Sequence, residues 1–360
     1  MTTDARAATG APDPRTAQPS GGTRPVLLGQ NQYGKAETRV VRITRDGETH
    51  HIKDLNVSVA LSGAMEDAHY RGSNAHVLPT DTAKNTVFAF AKEHGVESAE
   101  QFAIHLARHF VTSQEAIHRA RIRVEEYGWD RIEIARPAEG GPGTDGTADG
   151  RTGTADGPTG TADGQAGAAG ADGTAPAPHS FVRGGRETRT TQVTFDGDTW
   201  EVVSGLRDLV VMNSTDSEFH GYAKDRYTTL AETYDRILAT RVTGCWRFGW
   251  HGGEQPAPAW DESYQETRRH LLGAFAQTYS LSLQQTLYRM GERIIDHRPE
   301  IDEVRFSLPN RHHFLVDLEP FGLGNDNEVY FAADRPFGLI EGTVLRAGRE
   351  ARIPADLTHP

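Results

Sequence analysis

Eight positions along the 360-residue chain carry side chains that local folding does not by itself explain. Lys35 stands at the entry of a β-rich run, after Tyr33-Gly34. Taken alone it is a solvated edge lysine. Thr80-Asp81 opens a helical pattern, where an N-cap is the ordinary role and the free N–H groups of a helix start suit an anion. Phe219 reads as a core aromatic. Arg236 sits among apolar residues, where a long cationic side chain snorkels past its neighbours. Gln284 follows Leu283 at the start of a helix. Asn310 and His312 follow Pro309 at a strand junction, where a turn asparagine is common. Only the joint occurrence of these groups raises them above such structural roles.

The remaining motif search is largely negative. No GxGxxG or GxxxxGK[ST] phosphate loop occurs, nor GxSxG, nor HExxH. The paired histidines His50-His51 and His312-His313 point to opposite faces of a strand, so neither pair chelates a metal alone. The one cysteine, Cys245, can form neither an intrachain disulfide nor a zinc cluster, which fits a reducing compartment. Thirty-eight Lys+Arg against fifty Asp+Glu leave a net charge of −12, which argues against sequence-independent binding of nucleic acid or anionic membrane. No apolar run reaches the ~18 residues of a membrane span, and Met1 to Arg24 lacks the apolar centre of a secretory signal.

The elements that must hold these groups form a duplicated α+β pattern. Residues 1–28 read as a disordered tail. Residues 29–136 form a first domain: a strand at Arg39–Thr44, an Asp46-Gly47 turn, a returning strand at His51–Val59, two helices, then strands at Ala120–Val124 and Trp129–Ile134. The first helix opens at Thr80-Asp81-Thr82 and stops near Gly95. The second shows its buried face in Ala99, Phe102, Ala103, Leu106 and Phe110. Residues 137–178 repeat GTADG from Gly146, Gly153 and Gly160 without a large apolar residue, and are expected to be a flexible insert. Residues 179–347 repeat the order, with strands near Thr190–Phe195, Thr199–Val203, Leu209–Met212, Val304–Leu308 and His313–Leu318. Two helices are expected between them, one on Leu230, Tyr234, Ile237 and Leu238, the other on Leu283, Leu287, Met290 and Ile294. Residues 348–360 are read as a C-terminal tail.

Taken together the motifs resemble those of the urate oxidase (uricase) family. The carriers are Tyr33-Gly34-Lys35, Thr80-Asp81 before Lys84-Asn85-Thr86, and Ser217-Glu218-Phe219 with Tyr227-Thr228-Thr229-Leu230 and Asp235-Arg236-Ile237-Leu238. Leu283-Gln284 with Thr286 and Tyr288, and Ser307-Leu308-Pro309-Asn310-Arg311-His312, complete the set. The resemblance runs from about residue 31 to Arg346, apart from the Gly-rich insert. It implies tandem tunnelling-fold (ββααββ) domains whose antiparallel sheets close into a β-barrel tunnel in a homotetramer, with active sites between subunits. It implies cofactor-free oxidation of urate by O2, the co-substrate, to 5-hydroxyisourate and hydrogen peroxide, with no metal or organic cofactor. A purine-binding tunnelling-fold protein without turnover is the alternative.

The resemblance also assigns roles. Lys35, Thr80 and His312 form a proton relay, in which a lysine of depressed pKa acts as base and the threonine only links donor to acceptor. Phe219 stacks on the purine, Arg236 offers its N–H fork, and Gln284 matches an O=C–N–H edge. The Leu283 backbone N–H adds a contact, Thr80 and the Asp81 N–H hold the imidazole-side edge, and Asn310 positions O2 and then water. The last residues, Asp356 to Pro360, lack a peroxisomal SKL-type address, so a cytoplasmic location is expected.

Overall fold

The computed structural model describes residues 26–135 and 174–358. Eight long strands form one antiparallel sheet: β1 (Tyr33–Asp46), β2 (Thr49–Gly63), β3 (Ile117–Glu126), β6 (Thr188–Phe195), β7 (Trp200–Asn213), β8 (Leu238–Phe248), β9 (Ile301–Leu315) and β10 (Tyr330–Leu345). They lie in the order β1-β2-β3-β6-β7-β8-β9-β10. A separate two-stranded sheet pairs β4 (Trp129–Ala135) with β5 (Thr174–Arg183). Five α-helices complete the described chain: α1 (Glu66–Arg71), α2 (Thr80–Glu93), α3 (Ala99–Ser113), α4 (Trp260–Gln277) and α5 (Leu283–His297).

Strand alternation explains the layering. In β2, Leu55, Val57, Val59 and Leu61 are buried at every second position, and in β3 so are Ala120, Ile122 and Val124. The helices lie on that apolar face, α3 against β3 and β6, α5 against β9 and β10. Trp246, Phe102, Phe110, Phe248 and Phe306 are the largest fully buried side chains of the resulting core. On the other face of β3, Arg119, Arg121 and Arg123 alternate with those core residues.

Polar groups in the helix layer are paired. Glu100, fully buried in the first turn of α3, receives Arg189 Nη2 (2.6 Å), Thr191 Oγ1 (3.0 Å) and Ser204 Oγ (2.5 Å). A buried carboxylate without such partners would cost several kcal/mol. Cys245 is buried, and burial pushes its thiol up to about 12, so it is inert as a nucleophile.

The α+β class and the duplicated strand-helix order are those expected, but four sequence readings change. First, the seam of the repeat lies at the β6–β7 turn. β1, β2, β3 and β6 with α2 and α3 match β7, β8, β9 and β10 with α4 and α5, so Thr190–Phe195 closes the first unit rather than opening the second. Second, residues 174–178, read as part of the insert, begin β5, where Thr174, Ala175 and Pro176 pair with Ala135, Ile134 and Glu133. The GTADG repeats, and nearly all of the 1–28 tail, lie outside the described residues.

Third, the helix expected on Leu230, Tyr234, Ile237 and Leu238 does not form. Leu230 and Tyr234 are 57% and 65% exposed, Thr233 bridges Phe219, and Leu238 begins β8. The helical spacing lost to local side-chain bonds: Thr233 Oγ1 donates to the Asp235 backbone carbonyl (2.8 Å) and Thr215 Oγ1 to the Asp235 carboxylate (2.9 Å). The helix in that part of the chain is α4, which the sequence reading missed. Fourth, the segment read as a tail is docked at its start. The N–H groups of Arg352 and Ile353 donate to the buried Glu303 carboxylate, and Ile353 packs against Val203 and Cys245.

Candidate active site

The predicted site residues fall into two groups at opposite ends of the sheet. The first group is Lys35, Thr80 and Asp81. Gly34 fixes the start of β1, because a Cβ there would lie 1.9 Å from the Val59 carbonyl oxygen of β2. The adjacent Lys35 pairs with Val59 just before a register shift between Lys35 and Thr38. Tyr33 then ties this strand to the loop before α2, its hydroxyl accepting the Leu78 N–H (2.9 Å). Lys35 and Thr80 are each two residues from that tie. Helix α2 starts at Thr80, with Pro79 as N-cap and no side-chain cap, so the expected capping role of Thr80-Asp81 is not used. The Asp81 carboxylate instead receives Lys84 Nζ. That bond and the Lys84 charge, then the charge of Lys35, hold the carboxyl below its usual range. The backbone N–H groups of Thr80 and Asp81 lie in the first turn, where no intrahelical partner exists.

The second group is Phe219, Arg236, Leu283, Gln284, Asn310 and His312. Phe219 exchanges backbone hydrogen bonds with Thr233 (2.8 and 3.1 Å). Its ring is stacked with Tyr222 at 4.9 Å and 14°, and the Arg236 guanidinium carbon lies 5.2 Å from its centroid. Arg236 lies in the extended lead into β8 and not on a helix; its N–H donates to the Ser217 carbonyl (2.8 Å). Burial without a carboxylate partner shifts its guanidinium down from its usual value. Ser282 caps α5 by accepting the Gln285 N–H (3.1 Å), leaving the N–H groups of Leu283 and Gln284 outside the helix ladder. Leu283 is buried and the Gln284 side chain is exposed. Asn310 and His312 are not at a junction: both lie inside β9, opposite Gly338 and Ala333 of β10. Burial, then the charges of Arg236 and His313, lower the His312 pKa.

The two groups do not come together along one chain. β1 is an edge of the sheet and β9 lies six strands away, about 29 Å measured along the sheet at about 4.8 Å per strand. Each group ends on an uncapped or half-used helix N-terminus, and the second adds a cation and a flat ring. Between them they hold helix-start N–H groups, a guanidinium and a flat ring, groups that suit a flat anion.

The comparisons bear directly on this split arrangement. The family model described as Uricase matches residues 31–194 and 202–341, which takes in both groups. The chain belongs to the uricase family. Among curated relatives, the uricase of Arthrobacter globiformis is 43% identical over 339 residues, 94% of this chain and 96% of the relative. The uricase of Aspergillus flavus is 32% identical over 333 residues, 89% and 98% of the two chains. The crystal structure of the Arthrobacter globiformis uricase superposes with a TM-score of 0.76, covering 92% of this chain and 99% of that one. A uricase from Bacillus fastidious, 21% identical, shares the fold at a TM-score of 0.67. Within this uricase-family chain, sequence reasoning missed Ser217, Tyr222 and Tyr33 as supports of the site. Tyr33 and Ser217 stand in the motifs but gave no sign of their roles, and Tyr222 stands in none, because each acts through a contact that only the folded chain creates.

Among the described residues, no group of three or more His, Cys, Asp or Glu is arranged to hold a metal ion, and no helix is long and apolar enough to cross a membrane.

Several histidines titrate below their usual 6.5. For His105 and His109 the causes are burial and then the neighbouring His94; for His270, burial, Arg269 and His297; for His312, burial, Arg236 and His313. In each the unfolded state binds protons more readily, so stability is full above about pH 6.5 and is lost as pH falls through the folded-state values. Thermal unfolding followed from about pH 8 down to about pH 5 is expected to show a falling midpoint below about pH 6.5. A midpoint that rises on acidification would contradict this assignment.

Proposed function

We infer that the protein oxidises urate with O2 and water to 5-hydroxyisourate and hydrogen peroxide, in sites completed by a second copy of the chain. The observation that carries the reading is the division of the uricase-type residues into two half-sites at opposite ends of one sheet. The strand order keeps them apart within one chain. Two copies joined edge to edge bring Lys35, Thr80 and Asp81 of one protomer to Phe219, Arg236, Gln284, Asn310 and His312 of the other. Both edge strands are long and display apolar side chains, Val41 and Ile43 on β1, Phe331 and Phe337 on β10, which favours pairing over exposure. A tetramer formed by stacking two such closed pairs is the assembly this reading expects.

The chemistry follows from the groups. Phe219 supplies a flat apolar surface for the purine. Arg236 and the N–H groups of Leu283 and Gln284 bind one edge of the urate anion, and the Gln284 amide matches a donor–acceptor edge. Thr80 and the Asp81 N–H hold the opposite edge. Lys35 takes a proton from bound urate and passes it through the Thr80 hydroxyl toward His312, whose lowered pKa keeps the imidazole neutral and able to accept it. The more electron-rich purine then gives two electrons to O2 beside Asn310. Oxygen leaves as hydrogen peroxide after taking up two protons, and water adds to the oxidised purine with loss of a proton to give the 5-hydroxy product.

The reading further proposes that no metal or organic cofactor takes part, and that the enzyme works in the cytoplasm. Protein stripped with a strong chelator and checked for residual metal is expected to consume urate and O2 and to release hydrogen peroxide in equal amounts. Urate binding without O2 uptake would favour a purine-binding protein without turnover. Activity restored only by an added metal would overturn the cofactor-free part.

A further inference from the structure

Arg236 is an unusual guanidinium. It is half-buried, yet among the described residues no carboxylate pairs with it, and its one side-chain hydrogen bond runs from Nε to Ser217 Oγ (3.1 Å). Ser217 is completely buried and grips Arg236 twice, since its carbonyl also accepts the Arg236 backbone N–H (2.8 Å). With Nε held from behind, the two Nη groups are left for a ligand.

Ser217 is itself fixed to the other arm of the same half-site. It forms a parallel bridge with Ser280, in which the Ser280 N–H donates to the Asp216 carbonyl and the Glu218 N–H to the Ser280 carbonyl (both 2.9 Å). The buried Ser280 hydroxyl accepts from Thr286 Oγ1 (2.8 Å) and donates to the Ser282 carbonyl (3.2 Å), at the cap of α5. A backbone bridge, continued by the buried hydroxyls of Ser280 and Thr286, thus joins the Phe219–Arg236 arm to the helix start bearing Leu283 and Gln284. The spacing between the guanidinium fork and the amide edge is set by this plate and not by contact between the two side chains.

We propose that Ser217 is a positioning residue for substrate affinity: it holds Arg236 by Nε so that the Nη edge faces the urate anion at a fixed distance from Gln284. A hydroxyl suits the task where a carboxylate would not. A carboxylate at this position would neutralise the guanidinium and compete with the anion, whereas the serine oxygen orients the fork and leaves its charge for the ligand. This inference rests on the site being a urate site.

The test is the dissociation constant of urate in oxygen-free buffer, with steady-state turnover alongside, for the wild type, Ser217→Ala, the nearly isosteric Ser217→Cys, Arg236→Ala and the double variant Ser217→Ala/Arg236→Ala. Ser263→Ala is the control. Ser263, in α4, is also a buried serine; it donates to Glu300 (2.7 Å) and takes no part in the site. Ser217→Ala is expected to weaken urate binding about tenfold and to change kcat less than about threefold. Ser217→Cys should fall between it and the wild type. Ser263→Ala should lower the melting temperature and leave the dissociation constant unchanged.

The double variant should bind no worse than Arg236→Ala alone, because the serine acts only through the arginine. Should Ser217→Ala fail to fold, the cysteine variant carries the comparison. Unchanged affinity in the Ser217 variants, or an equal further loss in the Arg236→Ala background, would overturn the proposal. Absence of urate binding and turnover in the wild type would instead overturn the reading of the site.

Discussion

Lys35→Met protein is expected to turn urate over roughly 10²–10⁴-fold more slowly than the wild type, while still binding it. Methionine keeps the length and apolar stem of lysine but has no proton-accepting nitrogen, so the change isolates the amine. Most contacts assigned to binding lie elsewhere: the Phe219 ring, the Arg236 fork and the α5 N-terminus stand on β7–β9 and their loops, four to six strands from Lys35 within a protomer, and only Thr80 and the Asp81 N–H share its half-site. Binding should therefore survive. The measurement is urate consumption and peroxide release by the variant, with binding followed separately in the absence of O2. Wild-type turnover would remove the lysine from the mechanism. Loss of binding and turnover together would show that Lys35 grips the substrate instead of deprotonating it.

Mixing two impaired variants, assayed at urate too dilute to saturate the Arg236→Ala protein, is expected to restore activity. If each site takes Lys35 from one protomer and Arg236 from the other, a hybrid of Lys35→Met and Arg236→Ala chains holds one site with both groups intact and one with both lost. Subunits of the two variants, dissociated and reassembled together, should recover a substantial fraction of wild-type turnover, up to about half per hybrid pair by this counting. Each variant reassembled alone should stay near its own low level. If both groups came from one protomer, no hybrid site would be intact and the mixture would show only the average of its parents. The outcome turns on the sheet. Its two free edges, β1 and β10, are where a second copy can add, and each lies in or beside a strand bearing a half-site.

Some of this could be read directly from residue order. The alternation of Arg119, Arg121 and Arg123 with Ala120, Ile122 and Val124 gave a half-exposed strand, and β3 carries that burial pattern. Leu283, Leu287, Met290 and Ile294 gave one buried helical face, and α5 buries all four. Leu230, Tyr234, Ile237 and Leu238 have a similar spacing and form no helix. What separates the two is local competition. Thr215, Thr233 and Asp235 offer side-chain bonds that hold the second segment extended against Phe219, whereas Ser282 caps the first. Spacing is necessary for a buried helix face, but it does not settle which backbone partner wins.

The composition shift at residue 137 also misled where it met a strand. Thr174 to Pro178 resemble the preceding Gly/Ala/Thr/Asp-rich stretch, yet they begin β5 because Ala135, Ile134 and Glu133 present a ladder to pair with. The partner is about forty residues earlier in the chain, beyond the reach of any local window.

The sequence by itself determined which chemical groups this chain owns and that they follow one another as in the uricase family, because side-chain identity and order are covalent facts. It also determined most of the strand and helix periodicity, because alternation and 3.6-residue repeats are local. Only the tertiary structure decided that the repeat divides at the β6–β7 turn, that Arg236 is held from behind by Ser217, and that Lys35 and His312 stand at opposite ends of one sheet. Those are consequences of strand order and of hydrogen bonds between distant segments, and a linear pattern carries no information about distance across a sheet.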